Sequence, residues 1–80
     1  MTKEEKLILK FKTAPQSISL FDLFKLMEWE GIEIIKGKGS HVICKMENEI
    51  LIIIPVHQND CKPFYKKESL KVLLAHNIIS

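Results

Sequence analysis

Apolar residues recur along this chain with two different periods, helical toward both ends and two-residue in the middle. Residues 3–12 form the first helix candidate, with Leu7, Ile8 and Phe11 on one side, and Ala14-Pro15-Gln16 breaks it. Ser19 is placed to cap a second helix, with Asp22 three residues later as a variant of the capping box. Leu20, Leu23, Phe24 and Met27 then follow the i, i+3, i+4, i+7 spacing of a buried stripe, and Gly31 suits a left-handed stop. Three β-rich stretches come next, at residues 32–36, 40–46 and 50–56, the last two joined through Glu47-Asn48-Glu49. Pro63 can open a final helix over about 64–76, with Leu70, Leu73 and Leu74 toward the core and Asn77 as its stop.

The pattern predicts an α+β fold in the order α-α-β-β-β-α, a three-stranded antiparallel sheet with helices on one face. With a three-residue turn, Met46 pairs with Ile50, Cys44 with Ile52 and Val42 with Ile54. Those six apolar residues form the core side. His41, Ile43 and Lys45, opposite Pro55, Ile53 and Leu51, form the other face. His57 follows two residues after Pro55, so the two histidines are expected to meet at one end of the hairpin.

Composition narrows the class. Eighty residues make one small domain, and 46% hydrophobic content supports a packed core rather than disorder. Cys44 and Cys61 do not amount to a disulfide framework, which points to a reducing, cytoplasmic setting. The charged stretch after Met1 does not read as a secretory signal. The apolar run 50–56 is far shorter than the roughly 20 residues of a membrane span. Net charge is only +2, but residues 36–80 carry seven lysines against four acids, whereas residues 1–35 carry five against six. Positive charge therefore gathers in the half that holds all three histidines. A solvated lysine-bearing surface would look the same.

Candidate chemistry centres on Lys36-Gly37-Lys38-Gly39-Ser40-His41. Successive backbone N–H groups of such a turn can cradle a phosphate, and the lysines add charge, although an ordinary hairpin turn needs the same glycines. Histidine is the side chain whose ordinary pKa lies near neutrality. RNA carries its own nucleophile in the 2′-hydroxyl, so cleavage needs only a base, an acid and cations around the phosphate. His41 is the candidate base or acid, His57 a possible second catalytic group, and Lys36, Lys38 and Lys62 candidate cations. Lys62, Lys66 and Lys67 also surround the start of the last helix, where a phosphate is favoured, and Phe64 and Tyr65 could stack on bases. Ser40 and His41 are not a hydrolase pair, since neighbouring strand residues point to opposite faces. The same geometry opposes a zinc site built on His41-x₂-Cys44 and His57-x₃-Cys61.

These residues resemble the HicA family, the mRNA-cleaving toxins of bacterial toxin–antitoxin pairs. The similarity rests on Phe21-Asp22-Leu23-Phe24-Lys25-Leu26-Met27-Glu28 ending at Gly31, on Lys38-Gly39-Ser40-His41, and on Ile54-Pro55-Val56-His57 followed by Lys62-Pro63-Phe64-Tyr65. It covers residues 19–80 as a common core and leaves 1–18 as an N-terminal helical extension. The resemblance implies a fold like that of double-stranded-RNA-binding domains. It also implies metal-independent endoribonuclease activity with His41 catalytic and no cofactor, and neutralisation by a HicB-like antitoxin. The family often carries an aromatic residue three positions after the catalytic histidine, where this chain has Cys44. The non-catalytic alternative is an RNA-binding module on the same fold, using Gly39, Ser40 and the lysines to grip backbone. With Ile43, Leu51 and Ile53 beside His41, the open sheet face would be a large apolar patch, which the antitoxin or a second copy in a homodimer is expected to cover.

Overall fold

The computed structural model describes residues 1–80. Helix α1 spans Lys3–Thr13, α2 Leu20–Trp29 and α3 Pro63–Ala75, and strands β1 (Glu33–Lys36), β2 (His41–Met46) and β3 (Glu49–Pro55) form one antiparallel sheet in sequence order. A single 3₁₀ turn, Pro15–Ser17, joins α1 to α2. The expected α+β architecture and element order are both present. No helix is long and apolar enough to cross a membrane.

Local chemistry sets the helix ends. Thr2 and Glu5 form a reciprocal capping box at α1, each backbone N–H donating to the other's side chain at 3.1 Å. Ser19 caps α2 by accepting from the Asp22 N–H at 3.1 Å. No bond returns from the Asp22 carboxylate to the Ser19 backbone; aspartate is one methylene shorter than the glutamate that completes the box at α1. Gly31 (φ 87°) stops α2, and Asn77 (φ 55°) follows α3 in the left-handed region.

The helices cover one face of the sheet. Phe11, Ile18, Leu20, Leu23, Leu26, Met27, Ile32, Cys44, Ile54, Leu73 and Ile79 make the core. Leu26 is fully buried, whereas Phe24, expected in the stripe, is half-buried against the core's rim. In α3 the buried stripe is Lys66, Ser69 and Leu73. Leu74, expected to face inward, is 41% exposed. Ser69 occupies a core position because its hydroxyl donates to the Tyr65 carbonyl at 2.7 Å. Lys66 is buried because its ammonium pairs with Asp60 at 3.0 Å.

The β2–β3 register agrees with expectation at Cys44↔Ile52, Val42↔Ile54, Ile43↔Ile53 and His41↔Pro55. It differs next to the turn, where Met46 pairs with Glu49 and Lys45 with Ile50. Glu47 (φ 49°) and Asn48 (φ 67°) make a two-residue left-handed turn, and a bulge between Cys44 and Lys45 absorbs Leu51. Leu51 consequently packs against the core instead of lying beside Lys45 on the open face. Ile35, Ile43 and Ile53, one per strand and paired across the sheet, form a row on the face away from the helices. None of the three packs against the core, and Ile53 is 44% exposed.

Candidate nucleic-acid site

His41 opens β2, directly after the turn that leaves β1. The His41 N–H donates to the Lys38 carbonyl at 3.2 Å, and the Gly37 N–H donates to the His41 carbonyl at 2.8 Å. Gly39 (φ 61°) has open space where a Cβ would be, so its backbone angle is what calls for glycine. At Gly37 the reason is steric: a Cβ would lie 3.2 Å from the His41 carbonyl oxygen and 3.3 Å from Ile43 Cδ1. The backbone N–H groups of Lys38, Gly39 and Ser40 have no partner within the protein. Three consecutive free donors lie beside Lys36 and Lys38 in this turn.

The His41 imidazole is exposed, on the opposite side of β2 from fully buried Cys44. Its Nδ1 lies 3.3 Å from the Lys38 carbonyl oxygen. A carbonyl can only accept, so in the neutral imidazole this contact places the proton on Nδ1 and the lone pair on Nε2. His41 lines a 440 Å³ concavity together with Lys36, Gly39, Ser40 and, from other elements, Phe24, Val56, Gln58 and Asn59. Ile34 and Val42 complete an apolar side to this hollow. Phe24, Gln58 and Asn59 are not expected from the sequence. The last two form a left-handed turn (φ 52° and 64°) closed by paired backbone bonds between His57 and Asp60 of 2.7 and 3.0 Å. The sequence signal for that turn is Asn59-Asp60, two residues that tolerate or cap such geometry.

The remaining candidates divide. Lys38 is exposed at the turn, and its carbonyl orients His41. His57 does not share the His41 cavity; with Lys62, Asp60 and Cys61 it lines a separate 210 Å³ hollow. The Gln58-Asn59 turn follows it and presents its own residues to His41 instead. Lys67 is exposed on α3. Lys66 is corrected outright: it is 5% exposed and paired to Asp60, which removes it from any phosphate-binding set. The Lys66 hydrogen bond, and next the Cys61 N–H, hold the Asp60 carboxyl below the ordinary carboxylate range. Tyr65 packs against the core, whereas Phe64 stands exposed, edge-on to Tyr65 with ring centroids 5.2 Å apart.

The site therefore offers one imidazole with an open Nε2, a lysine, three unpartnered N–H groups and an apolar wall. It suits a phosphate with a flat, partly apolar group attached. No family model, curated protein or solved structure matches this chain.

Proposed function

We propose that this protein is a metal-independent endoribonuclease that cleaves mRNA, the toxin of a type II toxin–antitoxin pair similar to HicA. The observation that carries the proposal is His41 beside the three free N–H groups of Lys38, Gly39 and Ser40, with Lys36 in the same concavity. A phosphodiester seated on those N–H groups brings the neighbouring 2′-hydroxyl toward Nε2. The imidazole takes the hydroxyl proton, the 2′-oxygen attacks phosphorus, and the bond to the 5′-oxygen of the next nucleotide breaks. That oxygen takes up a proton from water, the phosphate is left as a 2′,3′-cyclic ester, and the imidazolium returns its proton to solvent. Lys36 and the N–H groups oppose charge gathering on the phosphoryl oxygens. Phe24 and Val56 offer an apolar wall for a base.

In this reading a HicB-like antitoxin covers the Ile35–Ile43–Ile53 row and the adjoining cavity. Ile53 is exposed and Ile35 and Ile43 are half-buried, and an apolar row on an uncovered sheet face supports a partner at that surface.

The deciding assay incubates RNA with the protein in EDTA, beside a His41→Ala variant. Cleavage by the native chain that falls by about 10²–10⁴-fold in the variant is the expected result. A requirement for added metal, or equal rates from both proteins, refutes the mechanism. One observation favours a non-catalytic RNA-binding module as the second reading. No carboxylate and no second imidazole lines the His41 cavity, so the group that would protonate the leaving oxygen is not evident. RNA binding retained by both proteins without cleavage selects that module.

A further inference from the structure

We propose that single-stranded RNA leaving the His41 cavity runs across α2 into a second, lysine-lined cleft between α1 and α2. This extends the RNA reading above and rests on it for the nature of the ligand. Lys3, Lys6 and Lys10 of α1 line the cleft, a 300 Å³ hollow, with Lys25, Asp22 and Trp29 of α2. Four lysines against one aspartate give the cleft +3, while the whole chain carries +2; the remainder of the protein therefore sums to −1. None of the four lysines has an ion-pair partner, since the side-chain ion pairs of the protein are Lys66–Asp60 and Lys71–Glu68. Glu4 and Glu30 meet each other at the margin of the Lys3–Trp29 end of the cleft, outside its lining. Glu5 is engaged with Thr2 in the capping box.

The aromatic residues point to the class of ligand. Lys25 Nζ lies 5.4 Å from the Trp29 ring centroid and 6.0 Å from that of Phe21. These rings are 41% and 73% exposed, so neither serves the core. Large flat rings standing in water beside lysines match alternating bases and phosphates, and stacking on them requires unpaired bases. An acidic peptide would use the lysines and leave the ring faces unmatched. Lys3, Lys6 and Lys10 follow i, i+3, i+7 spacing on one face of α1 and span about 10 Å along its axis.

The two sites are also joined. A 280 Å³ hollow beside Phe21 shares Phe24, Val56 and Asn59 with the His41 cavity. Phe21 in turn flanks Lys25 of the lysine cleft. The path runs from His41 past Phe24 and Phe21 to Lys25, Trp29 and the α1 lysines. The N-terminal helix thereby contributes binding surface as well as packing.

The test uses the full chain carrying His41→Ala, so that RNA stays intact, and labelled single-stranded RNAs of about four and about twelve nucleotides. Fluorescence anisotropy should show the long RNA binding at least about tenfold tighter than the short one, with quenching of Trp29 emission. Replacing Lys3, Lys6, Lys10 and Lys25 together by Gln should abolish the length advantage and lower the log–log salt slope by about 2–3. Binding of the short RNA should not change. Equal affinity for both lengths, an unquenched Trp29, or displacement of the RNA by a poly-glutamate peptide at matched charge overturns the proposal. So does equal binding of duplex RNA. The native chain, assayed for cleavage in parallel, keeps the two ideas apart. His41-dependent cleavage with no length advantage removes the track alone. Lysine-dependent, length-dependent binding without cleavage supports the track and removes the nuclease.

Discussion

Replacing Asp60 by alanine should cost this domain far more than a surface substitution, because it strands a buried ammonium. Lys66 is 5% exposed and its Nζ lies 3.0 Å from Asp60 Oδ1, the one ion pair it has. Removing one partner of a fully buried pair costs about 3–5 kcal/mol, and an unsatisfied buried donor about 1–3 kcal/mol. The Asp60 side chain is 55% exposed, so the pair sits at the surface end of a buried stem. Water can enter where the carboxylate was, which screens the loss and selects the lower range, about 2 kcal/mol. At about 4–8 °C per kcal/mol for a domain of this size, Tm should fall by about 8–16 °C. Lys66→Met removes charge and burial cost together and leaves Asp60 solvated with its Cys61 N–H bond of 2.8 Å, so it should stay within about 1 kcal/mol of the native chain. The pH dependence has a fixed sign. Because folding lowers the Asp60 pKa, its contribution is complete above the ordinary aspartate value of about 3.9 and is lost as pH falls through the lowered one. Asp60→Ala should lack that part of the acid limb. Thermal unfolding followed by circular dichroism across pH reads the native chain and both variants. A native Tm for Asp60→Ala, or an equal loss in Lys66→Met, would refute the reasoning.

Leu26→Ala opens a void in the fully buried centre of the core and should cost about 2–5 kcal/mol, seen as a lower urea midpoint with an unchanged slope. Rebuilding the β2–β3 turn as Glu47→Asn with Asn48→Gly suits the positive φ angles of 49° and 67° and should add about 1 kcal/mol, raising Tm by about 4–8 °C. Burial first, and neighbouring Cys61 second, push the Cys44 thiol up to about 12. A thiol reagent near the ordinary cysteine pKa of about 8.5 should therefore label Cys61 slowly and Cys44 only on unfolding, as read by mass spectrometry of labelled peptides.

Strand alternation was legible because its period is two: once Cys44 is assigned inward, His41 must face outward whatever happens nearer the turn. The turn itself was not. A two-residue turn plus a bulge consumes the same residues as a three-residue turn without one, so the pairings agree from Cys44↔Ile52 onward and differ only at Met46, Lys45 and Leu51. Helix α3 misled for another reason. Its buried stripe includes a lysine and a serine, polar groups admitted because Asp60 and the Tyr65 carbonyl satisfy them. Hydrophobicity favours Leu74 at a position the helix turns toward water. At the site, Lys36, Gly39, Ser40 and His41 lie together because they are contiguous. Phe24, Gln58 and Asn59 arrive from distant segments, which local spacing cannot reveal. Charge behaves likewise: residues 1–35 sum to −1, yet folding gathers four of their five lysines along one cleft and leaves most of their acids elsewhere.

The strictly sequential strand order has a consequence in time. Each strand of the sheet pairs with its neighbour in the chain, so both hairpins close over short loops, an event on the scale of about 1–10 μs. Nothing in the sheet waits for a crossover from a remote segment, and low sequence separation between pairing strands favours fast folding. The docking of α3 makes contacts of longer sequence separation, since its Leu73 joins Ile54 and Cys44 in the same core. During synthesis the meander and the two preceding helices can assemble while residues 63–75 are still emerging. The apolar helix-side face of the sheet then stays partly open until the last helix closes over it.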